Sequence, residues 1–253
     1  MKLGAQLYSV RDRAKTPAEV RSTFLKMKEI GYSVVQVSGI CPMEAEALRD
    51  ISLESGLPIT ITHNPYSRII NDTDALIKEN KTFGCNVIGI GGMPLEYRNS
   101  YEAFKKFVEE MQLPIKKMRD AGMTFSYHNH AFEYETVIGG RTLMDCVIED
   151  LPEAEITLDV YWVKFGGEDP MRYVKLLGEA GRISNLHLKD MVSEPKGDMC
   201  PCGEGVIDLP GIIALAKELK IPYAQVEEDT AATSGDSWGH MQRSYDNLKN
   251  YFN

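Results

Sequence analysis

The sequence has no cysteine pattern of the kind that marks a disulfide framework or a zinc knuckle. Its cysteines are odd in number and none has C-x-x-C spacing; they are Cys41, Cys85, Cys146, Cys200 and Cys202. Small secreted domains and structural zinc sites depend on cysteines paired at short, regular spacings. We therefore predict neither feature, and we interpret Cys200-Pro201-Cys202 as part of a structural loop.

Positive charge is also in short supply. The chain has 28 Lys and Arg residues against 37 Asp and Glu residues, which gives a net charge of −9 with histidine taken as neutral. Proteins that bind nucleic acids need a basic face to contact the phosphate backbone. The charge balance therefore argues against a nucleic-acid partner, whereas clustered acids are compatible with a divalent cation.

Long apolar runs are missing as well. No stretch approaches the roughly 20 consecutive apolar residues that a membrane-spanning helix needs. Residues 1–6 lack the basic start and the following apolar core of a signal peptide. On these grounds we expect a cytoplasmic protein without a membrane partner, although a removed export signal would leave no trace in the sequence.

What the sequence does contain is a regular alternation of strand-like and helix-like segments. Its composition, with 43% hydrophobic residues, is ordinary for a globular protein. Each of eight strand-like runs is followed by a helical pattern; the runs are residues 2–10, 32–38, 58–64, 86–92, 123–133, 155–162, 183–190 and 221–229. Eight such units in 253 residues match an α/β fold, the (β/α)8 TIM barrel. Because no linker interrupts the rhythm, we predict one domain over residues 1–253.

The polar residues of the last four strands fall in one phase. In a barrel, alternate residues of a strand point towards the axis and the others pack on the helices. The apolar phase suits the helix-facing side, so the polar phase must face the axis. Near the C-terminal end of the barrel, where active sites of this fold lie, each strand places one ionisable side chain in that phase: His128, Asp159, His187 and Glu227.

Such a cluster needs a counter-charge. A buried carboxylate without a partner is too costly in a folded protein, so these groups must either pair with one another or share a cation. A mixed shell of imidazoles and carboxylates suits Mn, Co, Zn, Mg or Fe. We favour one divalent metal ion over a network of internal ion pairs, because the cluster supplies little fixed positive charge.

Four motifs on these strands resemble the xylose isomerase-like sugar phosphate isomerase/epimerase family, which has the TIM-barrel fold. They are Tyr127-His128-Asn129-His130-Ala131-Phe132-Glu133, Leu158-Asp159-Val160-Tyr161-Trp162, Leu186-His187-Leu188-Lys189-Asp190 and Val226-Glu227-Glu228-Asp229. The resemblance covers essentially the whole chain. Its ordered set of short motifs is specific for the superfamily rather than for one substrate.

The resemblance implies one divalent metal ion, which would be Mn, Co, Mg or Zn, bound by a Glu, an Asp, a His and a second Glu. Asp159, His187 and Glu227 match the last three ligands in order. In the epimerases a Glu ends strand five, whereas this chain has His128 there and its nearest acid is Glu133. We expect Glu133 to be the first ligand, with His128 as the alternative.

The family chemistry requires an acid–base pair, for which Glu227 and Glu133 are the candidates. Such a pair removes and returns a proton next to a substrate carbonyl, through an enediolate. Other side chains at the same end of the barrel are expected to bind a carbohydrate substrate: His63, Asn64, His128, His130, Trp162 and Lys189. The alternatives are simple packing for Trp162, a salt bridge to a barrel acid for Lys189, and loop stabilisation for His63 and Asn64.

The leading hypothesis is therefore a metal-dependent isomerase or epimerase of a sugar or keto-sugar. The alternative enzyme is a lyase, dehydratase or hydrolase that uses the same metal site on a keto-sugar, a keto-glycoside or an inosose. A hypothesis from another class is a sugar-binding barrel without catalysis. The sequence leaves open whether the chain forms a homo-oligomer, and its glycine-rich segment at 89–92 does not match a phosphate-binding loop.

Overall fold

Eight parallel strands close into a barrel within residues 1–252, which are the residues described by the computed structural model. The barrel strands are β1 (Lys2–Gln6), β2 (Val34–Val37), β3 (Ile59–Asn64), β4 (Val87–Ile90), β5 (Thr124–His128), β6 (Glu155–Asp159), β7 (Ile183–Leu188) and β8 (Tyr223–Val226). Each strand pairs with its neighbours in the chain, and β8 pairs with β1 to close the ring. The predicted (β/α)8 TIM barrel is thereby confirmed.

Helices surround this barrel. They are α1 (Pro17–Ile30), α2 (Ala45–Ser55), α3 (Tyr66–Asn71), α4 (Thr73–Thr82), α5 (Tyr101–Asp120), α6 (Phe132–Glu135), α7 (Leu143–Asp150), α8 (Val160–Phe165), α9 (Pro170–Glu179), α10 (Leu209–Glu218) and α11 (Ser237–Leu248). Within residues 1–252, none of the helices has the length and apolarity needed to cross a bilayer.

The start of α1 shows how local sequence sets a helix boundary. Thr16 precedes Pro17 and its hydroxyl accepts a hydrogen bond from the Glu19 N–H at 3.2 Å, which satisfies one free donor of the first turn. The sequence predicts a reciprocal capping box, but the Glu19 carboxylate accepts instead from the Lys15 N–H at 2.8 Å. The helix therefore begins at Pro17, directly after the Thr16 cap, and Glu19 binds the Lys15 N–H rather than the Thr16 N–H.

Strands β5 and β6 end earlier than the sequence indicates. The β6 strand stops at Asp159, whose carboxylate accepts a hydrogen bond from the Trp162 N–H at 3.0 Å and thereby caps α8. The β5 strand stops at His128, and the rest of its motif forms a loop followed by α6. Glu133 therefore lies on a helix, beyond the strand that carries His128.

The inside of the barrel is polar. The Ser126 hydroxyl lies 2.8 Å from the Thr157 hydroxyl and 2.7 Å from the Ser184 hydroxyl, and Gln225 donates to Thr60 at 2.9 Å. The alternate residues of β5, β6 and β7 belong instead to the apolar core that includes the surrounding helices; they are Phe125, Tyr127, Ile156, Leu158, Leu186 and Leu188. The predicted division between a polar inward phase and an apolar outward phase is therefore present.

The buried carboxylate of Asp190 anchors the long segment that follows β7. Asp190 is buried, and it accepts four backbone hydrogen bonds from within residues 191–207. The donors are the N–H groups of Met191 (2.8 Å), Gly203 (2.8 Å), Gly205 (3.1 Å) and Ile207 (3.1 Å). Cys200 and Cys202 lie in this segment as buried free thiols, in keeping with their structural interpretation.

Candidate metal centre and active site

Four consecutive strands each bring one side chain of a metal-binding type to the same point. His128 ends β5, Asp159 ends β6, His187 lies on β7 and Glu227 directly follows β8. All four are buried, and one potential ligand atom from each lies within 4.8 Å of the others. The register explains the convergence, because His187 is paired with Asp159 on one side and with Gln225, two residues before Glu227, on the other.

Hydrogen bonds fix the backbone of Asp159 and one of its two carboxylate oxygens. The Asn129 side chain accepts from the Asp159 N–H at 2.8 Å and donates to the Asp159 carbonyl at 3.2 Å. Because Oδ1 caps α8, only Oδ2 faces the cluster, 3.3 Å from His128 Nε2 and 3.6 Å from His187 Nδ1. The two imidazoles and the Lys189 ammonium overcome the effect of burial and lower the pKa of Asp159 well below its usual range, so this oxygen is charged.

His187 is oriented by a glutamine on the far side of the barrel. Gln36 Oε1 accepts from Asn185 at 3.0 Å and lies 2.7 Å from His187 Nε2, so Nε2 is the donor in that contact. The Nδ1 atom is then left to face Glu227 Oε2 at 2.7 Å. This contact lacks hydrogen-bond geometry, since among the described residues both atoms are buried without a hydrogen-bond partner.

This arrangement provides a test of whether a metal fits. An imidazole whose Nε2 is already a donor presents a lone pair at Nδ1, and a lone pair pointed at a carboxylate is repulsive unless a cation or a proton lies between them. Burial lowers the pKa of His187, but Glu227 and Asp159 raise it by more, so the net shift is upward. The donor set and the orientation fixed by Gln36 both fit a divalent metal ion.

Lys189 brings positive charge into the same cluster. Its ammonium is 1% exposed and lies 3.0 Å from Asp159 Oδ2, Glu227 Oε2 and Asp229 Oδ1. Burial alone would lower the pKa of Lys189, but the three carboxylates raise it well above its usual value. The salt-bridge alternative for Lys189 is thus present in the structure, and three carboxylates still face one ammonium.

Four of the five histidines lie together at this end of the barrel. The ring of His128 has its centroid 5.0 Å from His63, 4.6 Å from His187 and 4.7 Å from His130. Burial and the neighbouring His128 lower the pKa of both His63 and His130 well below the usual value, so these two rings are neutral. Within the described chain, His63 Nε2 and His130 Nδ1 are buried without a hydrogen-bond partner.

His128 and Glu227 of the cluster line a small chamber of about 280 Å³. Its walls contain Tyr8, Ser38, His63, Gly91, His128, His130, Lys189, Glu227 and Asp229. Trp162 and Asn64 are not among these residues. Trp162 packs behind the chamber, 5.6 Å from the His130 ring, and Asn64 donates to Thr62 at 2.9 Å. The structure therefore brings His63, His128, His130 and Lys189 to the chamber, and it places Trp162 and Asn64 outside its wall.

Glu133 lies outside the cluster, contrary to its expected place beside Asp159, His187 and Glu227. Its Oε1 accepts from the Tyr127 hydroxyl at 2.6 Å and its Oε2 from the His130 N–H at 2.8 Å. The side chain is fully buried, and burial raises the pKa of Glu133 to about 8. The chain leaves the strand after His128, so His128 takes the position among the ligand-type side chains and Glu133 supports the loop that carries His130.

Sequence reasoning missed three residues that shape this centre. Gln36 orients His187, Asn129 holds Asp159, and Asp229 adds a third carboxylate beside Lys189. For Gln36 and Asp229 a signal was available, because each is polar and in phase with the inward-facing residues of its strand. Asn129 lies in the outward phase and gives no comparable signal in the sequence.

The sequence matches the xylose isomerase-like TIM barrel family over residues 24–243, which include the whole cluster. The chain belongs to this family. The resemblance of the strand-end motifs is thereby confirmed for the fold and the superfamily. No protein of curated function matches the sequence significantly.

Several solved structures share the fold at low sequence identity. A sugar phosphate isomerase/epimerase from Parabacteroides distasonis is 18% identical, with a TM-score of 0.77 over 98% of this chain and 93% of that one. The probable 3-DHS dehydratase AsbF from Bacillus anthracis is 15% identical, with a TM-score of 0.73 over 98% and 99%. IolI, a structure with a bound zinc atom, is 13% identical, with a TM-score of 0.73 over 99% and 98%.

Proposed function

We propose that the chain is a divalent-metal-dependent enzyme that removes a proton next to the carbonyl group of a sugar or keto-sugar and forms an enediolate. The observation that carries this proposal is the convergence of His128, Asp159, His187 and Glu227 within 4.8 Å, buried beneath a chamber. Isomerisation or epimerisation is the leading reaction. The similarity in fold to a sugar phosphate isomerase/epimerase supports this choice.

We assign the metal ligands to His128, Asp159, His187 and Glu227. His128 replaces Glu133 in this assignment, because both Glu133 oxygens are engaged by Tyr127 and His130. The similarly folded IolI structure contains a bound zinc atom, which supports metal binding by this chain. When bound, a divalent ion polarises the hydroxyl and carbonyl oxygens of a substrate.

The carboxylates on the chamber wall are the natural acid–base groups. Glu227 and Asp229 line the chamber, whereas Glu133 does not, so we assign proton removal to Glu227 and its return to Asp229. Lys189 lies between them, 3.0 Å from each, where its ammonium stabilises negative charge that develops on the substrate. The neutral rings of His63 and His130 hold the substrate hydroxyls.

Elimination is the second candidate reaction. A larger cavity beside the chamber offers room for a group attached to the sugar, and the fold is also that of a probable dehydratase. In a ring with its carbonyl at C3, Glu227 would take the C2 proton. The electron pair would then form the C1=C2 double bond as the C1–O bond breaks, and the departing oxygen would take a proton from Asp229.

Proton exchange with solvent tests this proposal. Ketoses and keto-sugars are incubated with the manganese-loaded protein in D2O, and deuterium next to the carbonyl is measured by NMR. Glu227→Gln should reduce the exchange rate at least about 100-fold, because it removes the general base and one of the four assigned metal ligands. Glu133→Gln is the matched control and should retain exchange.

The products separate the alternatives. Deuterium uptake without loss of a substituent supports an isomerase or epimerase, and release of water or an alcohol supports the lyase. A wild-type protein that binds a sugar without exchange, with the same affinity in Glu227→Gln, would establish a binding barrel and overturn the enzymatic proposal.

A further inference from the structure

A second and larger cavity adjoins the chamber. It has a volume of about 840 Å³, compared with about 280 Å³ for the chamber, and Ser38, His63 and Gly91 line both. Its walls come from the ends of β2, β3 and β4 and from the start of α2. Small-molecule sites usually occupy about 300–1,000 Å³, so the chamber suits one sugar ring and the adjoining cavity suits a further group.

Most of the polar side chains of the larger cavity are already engaged with other protein groups. Asn64 donates to Thr62 at 2.9 Å, and Thr62 donates to Asn80 at 3.1 Å. Arg68 and Glu79 form an ion pair at 2.8 Å. The other walls are largely apolar and include Ile40, Cys41, Pro42, Met43, Leu48 and Phe83.

The apolar walls of the larger cavity favour one kind of ligand group over others. A second sugar ring or a phosphate group would lose its water and gain few unengaged partners here, which is costly. An uncharged aromatic group would gain from burial against the apolar wall. His63 lines both cavities, so its imidazole ring lies where the sugar and such a group would be joined.

We propose that the larger cavity binds the aglycone of the substrate, and that the substrate is an aryl glycoside whose sugar ring carries a keto group. This inference rests on the proposed function, because it places the keto-sugar ring in the chamber. It predicts that the aryl group contributes binding at a site separate from the metal centre.

Titration calorimetry with matched probes tests the inference. The probes are 3-keto-glucose and the α and β forms of its 4-nitrophenyl glycoside, added to the manganese-loaded Asp229→Asn protein, which keeps the four assigned metal ligands and lacks the proton donor needed for turnover. One anomer of the glycoside should bind at least about tenfold more tightly than the free sugar, because an aromatic ring becomes buried.

A cavity-filling variant tests whether the higher affinity for the aryl glycoside comes from the larger cavity. Ala45 lines the larger cavity at the first turn of α2, whereas Ala47 is exposed on the same helix. Ala45→Trp should reduce the affinity for the aryl glycoside to that for the free sugar and leave the free sugar unaffected. Ala47→Trp should change neither, and the smaller Ala45→Leu should give an intermediate loss if the larger substitution impairs folding.

The outcomes distinguish a failure of the aglycone site from a failure of the proposed function. Equal affinities for the free sugar and both aryl glycosides, or an equal loss of both in Ala45→Trp, would overturn the aglycone site and leave the proposed function standing. If neither the sugar nor its glycosides bind and the wild type exchanges no proton, the proposed function fails and the aglycone site fails with it.

Discussion

At the residue scale, Lys189 has an unusual set of partners. Its ammonium lies 3.0 Å from the Asp159 and Glu227 oxygens that we assign to the metal, and 3.0 Å from Asp229. The ammonium and a metal ion therefore compete for the same two carboxylates. Lys189 supports the metal-free protein and opposes metal binding.

Replacing Lys189 with methionine separates these effects. Lys189→Met should destabilise the metal-free protein by about 3–5 kcal/mol, because it leaves buried carboxylates without their counter-charge. It should also increase the affinity for Mn²⁺ at least about tenfold. Urea unfolding with EDTA and titration calorimetry with Mn²⁺ measure the two quantities.

The control for this prediction is a surface lysine. Lys196 pairs with Glu135 where both side chains are exposed, so Lys196→Met should change stability by less than about 1 kcal/mol. An unchanged Mn²⁺ affinity in Lys189→Met would contradict the competition.

Glu133 makes stability depend on pH. Its pKa is about 8 in the folded protein and 4.5 in its usual state, so the folded protein retains a proton that the unfolded chain releases between these values. The contribution of Glu133 to the free energy of unfolding is fully present below pH 4.5 and is lost as the pH rises towards 8. Glu133→Gln mimics the protonated acid and should remove about 3 kcal/mol of the decline between pH 5 and pH 8.

Urea unfolding across this pH range provides the measurement. The relevant quantity is the difference between the wild type and Glu133→Gln, because His187, Asp159 and Lys189 have shifted pKa values and are common to both proteins. Parallel stability curves for the two proteins would mean that Glu133 is ionised in the fold.

At the scale of elements, the segment after β7 depends on Asp190. Two of the four N–H donors contact each carboxylate oxygen. An asparagine can replace only one oxygen as an acceptor, so its NH2 group would face two donors. The neighbouring chamber residues Lys189 and Glu227 directly follow the barrel strands β7 and β8, and the Glu227 N–H donates to the Leu188 carbonyl of β7 at 3.0 Å.

Asp190→Asn should therefore loosen residues 191–207 more than the barrel. We expect a loss of about 2–3 kcal/mol in stability, since hydrogen bonds to a charged group are removed. Amide hydrogen exchange should accelerate in this segment first. Asp198→Asn, with an exposed side chain in the same segment, is the control, and uniform acceleration over the whole chain would argue against a local anchor.

At the scale of the whole molecule, the sequence determines the barrel and the direction of its polar residues. Both follow from short-range periodicity, since strand–helix alternation sets the topology and a period of two sets the inward phase. His128, Asp159, His187 and Glu227 were found in this way. The convergence needs no knowledge of contacts between distant residues.

The sequence could not determine where each strand ends, and the place of Glu133 outside the cluster follows from this. Its position depends on the exit of the chain after His128 and on hydrogen bonds to Tyr127 and His130 that exist only in the folded protein. The same applies to Asn129, whose partner Asp159 is 30 residues away in the chain. Tertiary contacts, rather than local patterns, decide these positions.

The contact between Gln36 and His187 spans 151 positions of the sequence. Gln36 is therefore synthesised long before His187, whereas Glu227 is synthesised after it, once β8 has been made. Until then Asp159 and Lys189 have each other but not their full set of partners. A nascent chain that stalls before β8 contains seven of the eight barrel strands and lacks Glu227, so its cluster of ligand-type side chains is incomplete.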